Sequence, residues 1–383
     1  MTGLSLDGLT AGPSQVWGGV RLVPLVRDRP VVGLRLHRHA YETETAVVAV
    51  DARHYYASYV PHGFVAAWGA DDTLAAAYGT QLTKDDDSTT IDCLPLRLQR
   101  RMARRVERGR LRFLPLHLAL QGYLALHFGG PTVVWDEWSR RAVSRGLSPR
   151  EEQAYRGAEI RDLADALRVF EIHPGQCGVL CYVADALAAA FVVPHPDDYR
   201  ALHPSLVQDL FGELVHHYGL FGRPVPEFRA AISGTHVRTL ADLRAAADRQ
   251  RGEWTEFHDS VMAAELLEPS YDVRRVYRLG EFTLSRFLPG FRLGEPNHLG
   301  ELITDRRGRT AYLKTFRLSE NQARRGHLLN QLASHDWNVA ATATALGVSP
   351  AQLGQRIASA GFGALLRQDV LDHYRARSRL SGG

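Results

Sequence analysis

Lysine is nearly absent from this chain: Lys84 and Lys314 stand alone among 46 basic residues. The others are arginines, a bias typical of GC-rich bacterial coding sequence, so a single arginine is weaker evidence of function than usual. Cysteine is scarce too, with 3 in 383 residues. That excludes a disulfide framework and fits a reduced cytoplasm. No apolar run approaches the roughly 18 residues that a membrane-spanning helix needs, so no membrane partner is expected. Met1 to Pro13 lacks a basic start followed by an apolar stretch, and no secretory leader is predicted. Familiar catalytic signatures are also missing. There is no G-x-S-x-G elbow, Walker phosphate loop, G-x-G-x-x-G after a strand, H-E-x-x-H or paired C-x-x-C. Neither a catalytic residue nor a cofactor is therefore expected.

What is present is a globular composition, 45% hydrophobic and 23% charged, in a chain too long for one ordinary core. Charge is distributed unevenly. From Glu301 onward there are 12 Lys/Arg against 6 Asp/Glu, a net of +6, whereas the whole chain is +4. Everything before Glu301 therefore carries −2, and the excess positive charge lies in the C-terminal segment, as suits a segment that meets phosphate.

Pattern and turn signals predict an α+β chain with a β-rich N-terminal lobe, a helical and hairpin middle lobe, a small strand unit and a C-terminal all-α module. Short strands are expected at Val20–Val26, Val31–His37, Thr45–Val50, Tyr55–Val60 and Phe64–Trp68. Helices are expected from Arg97 to about Gly222, enclosing a buried hairpin of Gln176–Tyr182 and Ala188–Val193. The proline-rich Gly222–Pro226 marks a boundary. A helical stretch from Leu240 to Leu267 then leads to strands Val273–Leu279, Phe282–Leu288, Leu302–Thr304 and Thr310–Phe316. The expected division is 1–222, 223–318 and 319–383.

The last segment meets the requirements of a helix-turn-helix one position at a time. Leu328, Leu329 and Leu332 give a first helix its apolar face, and the chain turns at Asp336-Trp337. Asn338 is placed to cap a short alanine-rich helix from Val339 to Leu346. Gly347 supplies the residue that tolerates positive φ in the tight turn. Ser349 caps a third helix with Pro350 at its first position, and Leu353 and Ile357 face inward. Ala351, Gln352, Gln355, Arg356 and Ser359 are left on the outer face, where a recognition helix reads base edges. Asn338, Thr342 and Ser349 join them as DNA-contact candidates. Phosphate contacts fall to Arg324, Arg325 and Arg367, with Arg375, Arg377 and Arg379 beyond.

His335-Asp336-Trp337-Asn338-Val339-Ala340, Ala345-Leu346-Gly347-Val348-Ser349-Pro350, Leu353 and Arg356-Ile357 together resemble the Fis-type helix-turn-helix that ends many bacterial enhancer-binding regulators. The resemblance implies a dimerising, DNA-binding module. Gly354 departs from it, since the family carries a bulky residue there.

A second resemblance runs over about residues 16 to 222. Tyr59-Val60-Pro61-His62-Gly63, Leu126-His127-Phe128-Gly129-Gly130-Pro131, Leu147-Ser148-Pro149-Arg150-Glu151 and Phe170–Val179 are similar to the bacterial ARPP-type domains. Those domains are named for gene neighbourhoods with ADP-ribosylglycohydrolases and rhodanese-phosphatases. The resemblance implies a link to a stress or conflict system and carries no reaction or catalytic residue with it.

Other candidates in this part divide between function and plain architecture. His37 and His39 share a face of an expected strand and are the weak candidates for a metal, with ordinary strand histidines the alternative. Arg97, Arg100, Arg101, Arg104, Arg105 and Arg108 fall at helical spacing, as a phosphate-binding stripe or as a solvated helix face. Cys177 and Cys181, four apart on a strand, share one face and are expected to be buried, unreactive thiols. Glu171, His173 and Gln176 suit a pocket entrance or an ordinary turn.

The leading expectation is a cytoplasmic, dimeric bacterial regulator, nucleoid-associated when bound to double-stranded DNA. Its N-terminal part would bind a protein partner or a small-molecule ligand. An adaptor of a stress or defence system is the alternative, and an enzyme or binder of an ADP-ribose-like compound the third. A regulator exposes the face from Gln352 to Ser359. An adaptor covers it against the strands of residues 271 to 318.

Overall fold

The computed structural model describes residues 3–17, 20–36, 47–49, 54–58, 65–68, 73–76, 80–84, 104–107, 110–112, 170–183, 186–203, 206 and 229–366. The architecture is α+β. Its centre is one antiparallel sheet built from β1 (Thr10–Ala11), β2 (Gln15–Trp17), β3 (Val20–Val26), β12 (Gln176–Val183), β13 (Ala186–Val192), β14 (Asp272–Leu279), β15 (Phe282–Leu288), β16 (His298–Thr304) and β17 (Thr310–Arg317). The order is β1-β3-β12-β13-β17-β16-β15-β14, with β2 beside β1 on the outer edge of β3. Smaller antiparallel groups pair β4 (Leu34–Leu36) with β7 (Val65–Trp68) and β8 (Thr73–Ala76), and β5 (Val47–Ala49) with β6 (His54–Ser58) and β9 (Thr80–Lys84).

The interior strands are almost uniformly apolar because both of their faces are covered. Every residue of β12 is buried, as is every residue of β13 except Ala186. Burial of a Val or Leu side chain contributes about 1.5–3 kcal/mol, so these two strands anchor the sheet. One face packs with Leu34, Tyr199, Leu202 and Leu206 and continues into the C-terminal helices. The other is covered by Leu6 and Leu9, by α1 (Leu240–Phe257) and by α2 (Ala264–Leu267). Between those helices, His258–Met262 forms a π-helical turn.

Proline within a strand would ordinarily cost a ladder bond. Pro24 in β3 escapes this where the edge breaks between β1 and β2. Gly12 N–H donates to the Pro24 carbonyl at 2.7 Å. The Gly12 carbonyl, which no proline N–H can satisfy, accepts the Trp254 indole N–H at 2.8 Å instead. A Cβ on Gly12 would stand 2.9 Å from the Pro24 ring, so glycine is needed for this approach.

Three expectations change. The strands of residues 272–317, expected to form a unit of their own, pair with the N-terminal ones through β13 and β17, from Ala189↔Phe316 to Val192↔Leu313. The boundary expected at residue 222 therefore does not separate two sheets, and the break itself lies outside the described residues. The helix expected around Arg104 and Arg105 is instead a hairpin of β10 (Arg104–Glu107) and β11 (Arg110–Arg112). Helical spacing has no meaning on a strand, so no stripe forms there; Arg97, Arg100, Arg101 and Arg108 lie outside the described residues. Finally, Cys177 and Cys181 do not share a face. A β-bulge between Gln176 and Gly178 slips the register against β3. Cys177 therefore packs with Leu180 and Tyr182, and Cys181 with Val179 on the other side. Both thiols are buried as expected, and burial pushes Cys177 up to about 11 against the opposing charge of Arg27.

Candidate nucleic-acid interface

The C-terminal module begins where β17 ends. Ser319 caps α3 (Glu320–Ser334) through a capping box with Gln322, whose side-chain oxygen accepts the Ser319 N–H at 2.9 Å. Just upstream, Arg317 and the Leu187 N–H bind the Glu265 carboxylate at 3.3 and 2.7 Å. Burial opposes ionisation of Glu265, yet His298, Arg317 and that N–H hold its carboxyl below the usual range. The base of α3 is thus tied to α2 and the sheet.

Leu328, Leu329 and Leu332 of α3 are buried. The chain then reverses through Asp336 and Trp337, at φ 52° and 60°. Left-handed backbone is costly for a bulky residue, and Trp337 is held there by burial of its indole. Asn338 caps α4 (Val339–Ala345), its side-chain oxygen accepting the Ala341 N–H at 3.1 Å. Gly347 takes φ 63°, as the tight turn requires. Ser349 caps α5 (Pro350–Ser359), with Pro350 at its first turn. Leu353 and Ile357 are fully buried, whereas Ala351, Gln352, Gln355, Arg356 and Ser359 are exposed.

Two residues need reassignment. Thr342 is fully buried and its hydroxyl donates to the Asn338 carbonyl at 2.8 Å. It braces the turn from within and leaves the DNA-facing set, because position 342 falls on the packed side of α4 with Ala343. Gln352 is exposed, but its side-chain oxygen accepts the Ser349 N–H at 3.0 Å. That leaves its amide N–H groups for an outside partner. Asn338 and Ser349 are exposed and act as caps. Arg367 and the arginines after it lie outside the described residues, as do His37 and His39.

The arginines on α3 are arranged differently from one another. Arg324 pairs with Glu320 one turn earlier. Arg325 is half-buried and makes no ion pair or hydrogen bond among the described residues; burial alone lowers its pKa. Both line a cleft of about 630 Å³ between α3, the end of α5 and Leu293, together with His327, Arg356 and Ser359. Asn321, Arg324, Arg325 and Leu328 recur at one helical face, so this wall was legible as spacing, whereas Leu293 belongs to a distant loop and gave no signal. The loop is locked onto α3 at Gly326, where a Cβ would meet the Phe291 ring at 2.1 Å.

A second cleft, of about 750 Å³, opens beside the N-terminal edge of the sheet and is lined by Ser14, Asp28, His173, Gln250, Arg251 and Trp254 among others. His173 thus reaches a cleft wall. Gln176 serves the turn instead, accepting the His173 N–H at 2.8 Å and donating to the Gly178 carbonyl at 3.1 Å. Below this cleft, His258 links the Tyr182 hydroxyl (3.1 Å) to Asp259 (2.7 Å). This buried polar chain ties the π-helical turn to β12.

These caps, turns and core leucines define a helix-turn-helix, and a family model described as bacterial regulatory protein, Fis family, matches residues 325–359. The match supports a DNA-binding regulator. The chain as a whole belongs to the ARPP-2 family, whose model matches residues 4–280. That span runs further at both ends than the motifs implied, taking in Leu6 and Leu9 and the helices α1 and α2 that share a core with them. No curated protein and no solved structure matches the chain.

Proposed function

We propose that this protein is a bacterial transcriptional regulator that docks α5 in the major groove of double-stranded DNA as a homodimer, while its ARPP-2 part binds an effector or partner. The module concerned begins at the Ser319 cap and takes in residues 319–383. One observation carries this reading: the outer face of α5 stays open to solvent, with Gln355, Arg356 and Ser359 exposed, while its inner face is fully packed. An adaptor that used this module for internal contacts would cover that face against the strands of 272–317, whereas Gln355, Arg356 and Ser359 remain exposed and only the loop residue Leu293 comes near, at the end of α5. The second cleft, with His173, Asp28 and Trp254 at its wall, suits a small ligand of the ARPP-2 part. Its volume lies within the range of about 300–1,000 Å³ usual for ligand sites. The reading involves no catalytic step and places the protein in the cytoplasm, nucleoid-associated when bound.

Binding of full-length protein to labelled genomic fragments across a salt series tests the proposal. Gln355→Ala combined with Arg356→Ala is the variant of choice, because Gln352→Ala would also break the α5 cap. The expected result is selective binding by wild type that weakens steeply with salt and is reduced about tenfold or more by the variant. Absence of binding by wild type at low salt would overturn the regulator reading.

A further inference from the structure

The cleft between α3, the end of α5 and Leu293 has no role in a bare DNA reader, and its chemistry is unusual for a surface hollow. It collects three guanidinium groups, of Arg324, Arg325 and Arg356. Among the described residues, the carboxylate partner recorded for these three is Glu320, on Arg324. Arg325 and Arg356 make no ion pair among the described residues. A half-buried cation without a counter-charge is destabilising, and an incoming anion relieves that cost. Guanidinium groups that line one hollow suit the planar, bidentate recognition of phosphate. The apolar part of its lining is Leu293, Leu346 and the edge of the buried Leu328, and Leu293 is 54% exposed despite its size. At about 630 Å³, the space matches a small molecule rather than a single ion.

We propose that this cleft binds a small organic phosphate, its phosphoryl group held by Arg325 and Arg356 and its apolar body laid on Leu293, Leu328 and Leu346, and that this ligand competes with DNA. Competition follows from shared residues. Arg356 and Ser359 line the cleft and also belong to the open face of α5, so a phosphate that engages Arg356 withdraws it from DNA. The cleft walls come from the loop carrying Leu293, from α3 and α5 and from Leu346 at the end of α4, so an occupant also ties recognition helix to sheet. This rests on the regulator reading only for its consequence; occupancy of the cleft does not depend on it.

A thermal-shift and DNA-competition experiment on full-length protein tests the idea, with phenyl phosphate and inorganic phosphate as probes at matched ionic strength. Expected is a rise in melting temperature with phenyl phosphate, saturating at lower concentration than with inorganic phosphate. Arg325→Met should weaken phenyl phosphate binding about tenfold or more, Arg325→Lys should restore part of it, and Ser359→Asp should weaken it independently. Phenyl phosphate should also raise the apparent Kd for DNA in wild type and much less in Arg325→Met. A shift in Arg325→Met and in Ser359→Asp as large as that of wild type would overturn the proposal, as would no shift with either probe at millimolar concentration. Loss of DNA affinity in Arg325→Met without any phosphate-induced shift in wild type would also overturn it, and would make the cleft a seat for the DNA backbone. A phosphate-induced shift in a protein that binds no DNA would sink the regulator reading and leave the site intact.

Discussion

At the scale of single residues, a few glycines separate what the chain requires from what it merely tolerates. Gly347 and Gly12 are required, the first by positive φ and the second by the Pro24 ring. Gly354 is different. It lies inside α5 with ordinary helical backbone, and among the described residues a Cβ there would meet the Leu366 side chain at 3.9 Å, an ordinary contact. Glycine costs roughly 1 kcal/mol relative to alanine in a helix interior. Gly354→Ala is therefore expected to raise unfolding stability by up to about 1 kcal/mol, measured by denaturant titration. A loss of stability would show that α5 needs its flexibility. The departure of Gly354 from the Fis-type pattern was legible in the sequence. The inward turn of Thr342 was not, because a short alanine-rich helix offers too little polarity contrast to assign its faces.

Between elements, α3 meets the loop after β15 in a very close contact. Phe291 is held at φ 50°, a conformation costly for an aromatic residue, so that its ring can lie directly on Gly326. Overpacking a filled site costs typically 1–3 kcal/mol. Gly326→Ala, although alanine is the better helix former, is expected to lower the thermal stability of the whole chain. Hydrogen exchange should rise in α3 and in residues 289–297 together. Unchanged exchange in the loop would mean that helix and loop are not coupled there. The individual caps of this module, Ser319, Asn338 and Ser349, were readable because a cap is a local bond spanning three residues. The Phe291–Gly326 contact was not, since it joins residues 35 positions apart.

The molecule as a whole is organised by a sheet covered on both faces, and its charged interior depends on that. Lys314 in β17 faces Glu301 across the ladder, and Arg286 approaches Glu301 at 3.5 Å from the far side. Burial lowers the pKa of Lys314 to about 8, against the opposing influence of Glu301. The folded state thus gives up this proton at lower pH than the unfolded chain. Between about pH 8 and the ordinary lysine range the unfolded state binds more protons, so this group's contribution to stability rises with pH. Wild type should accordingly gain stability relative to Lys314→Met as pH goes from 7 to 10, by thermal melts at each pH. A constant difference would place Lys314 in a solvated setting. By itself, the sequence determined the long strands of the main sheet, the caps, the glycine turn and the exposed face of α5. All of these follow from residue periodicity or from bonds between near neighbours. Only the tertiary structure decided that strands on either side of residue 222 form one sheet, that a bulge parts Cys177 from Cys181, and that Leu293 meets Arg325 across a cleft. Those outcomes depend on which distant segments share a core, and spacing along the chain holds no record of that.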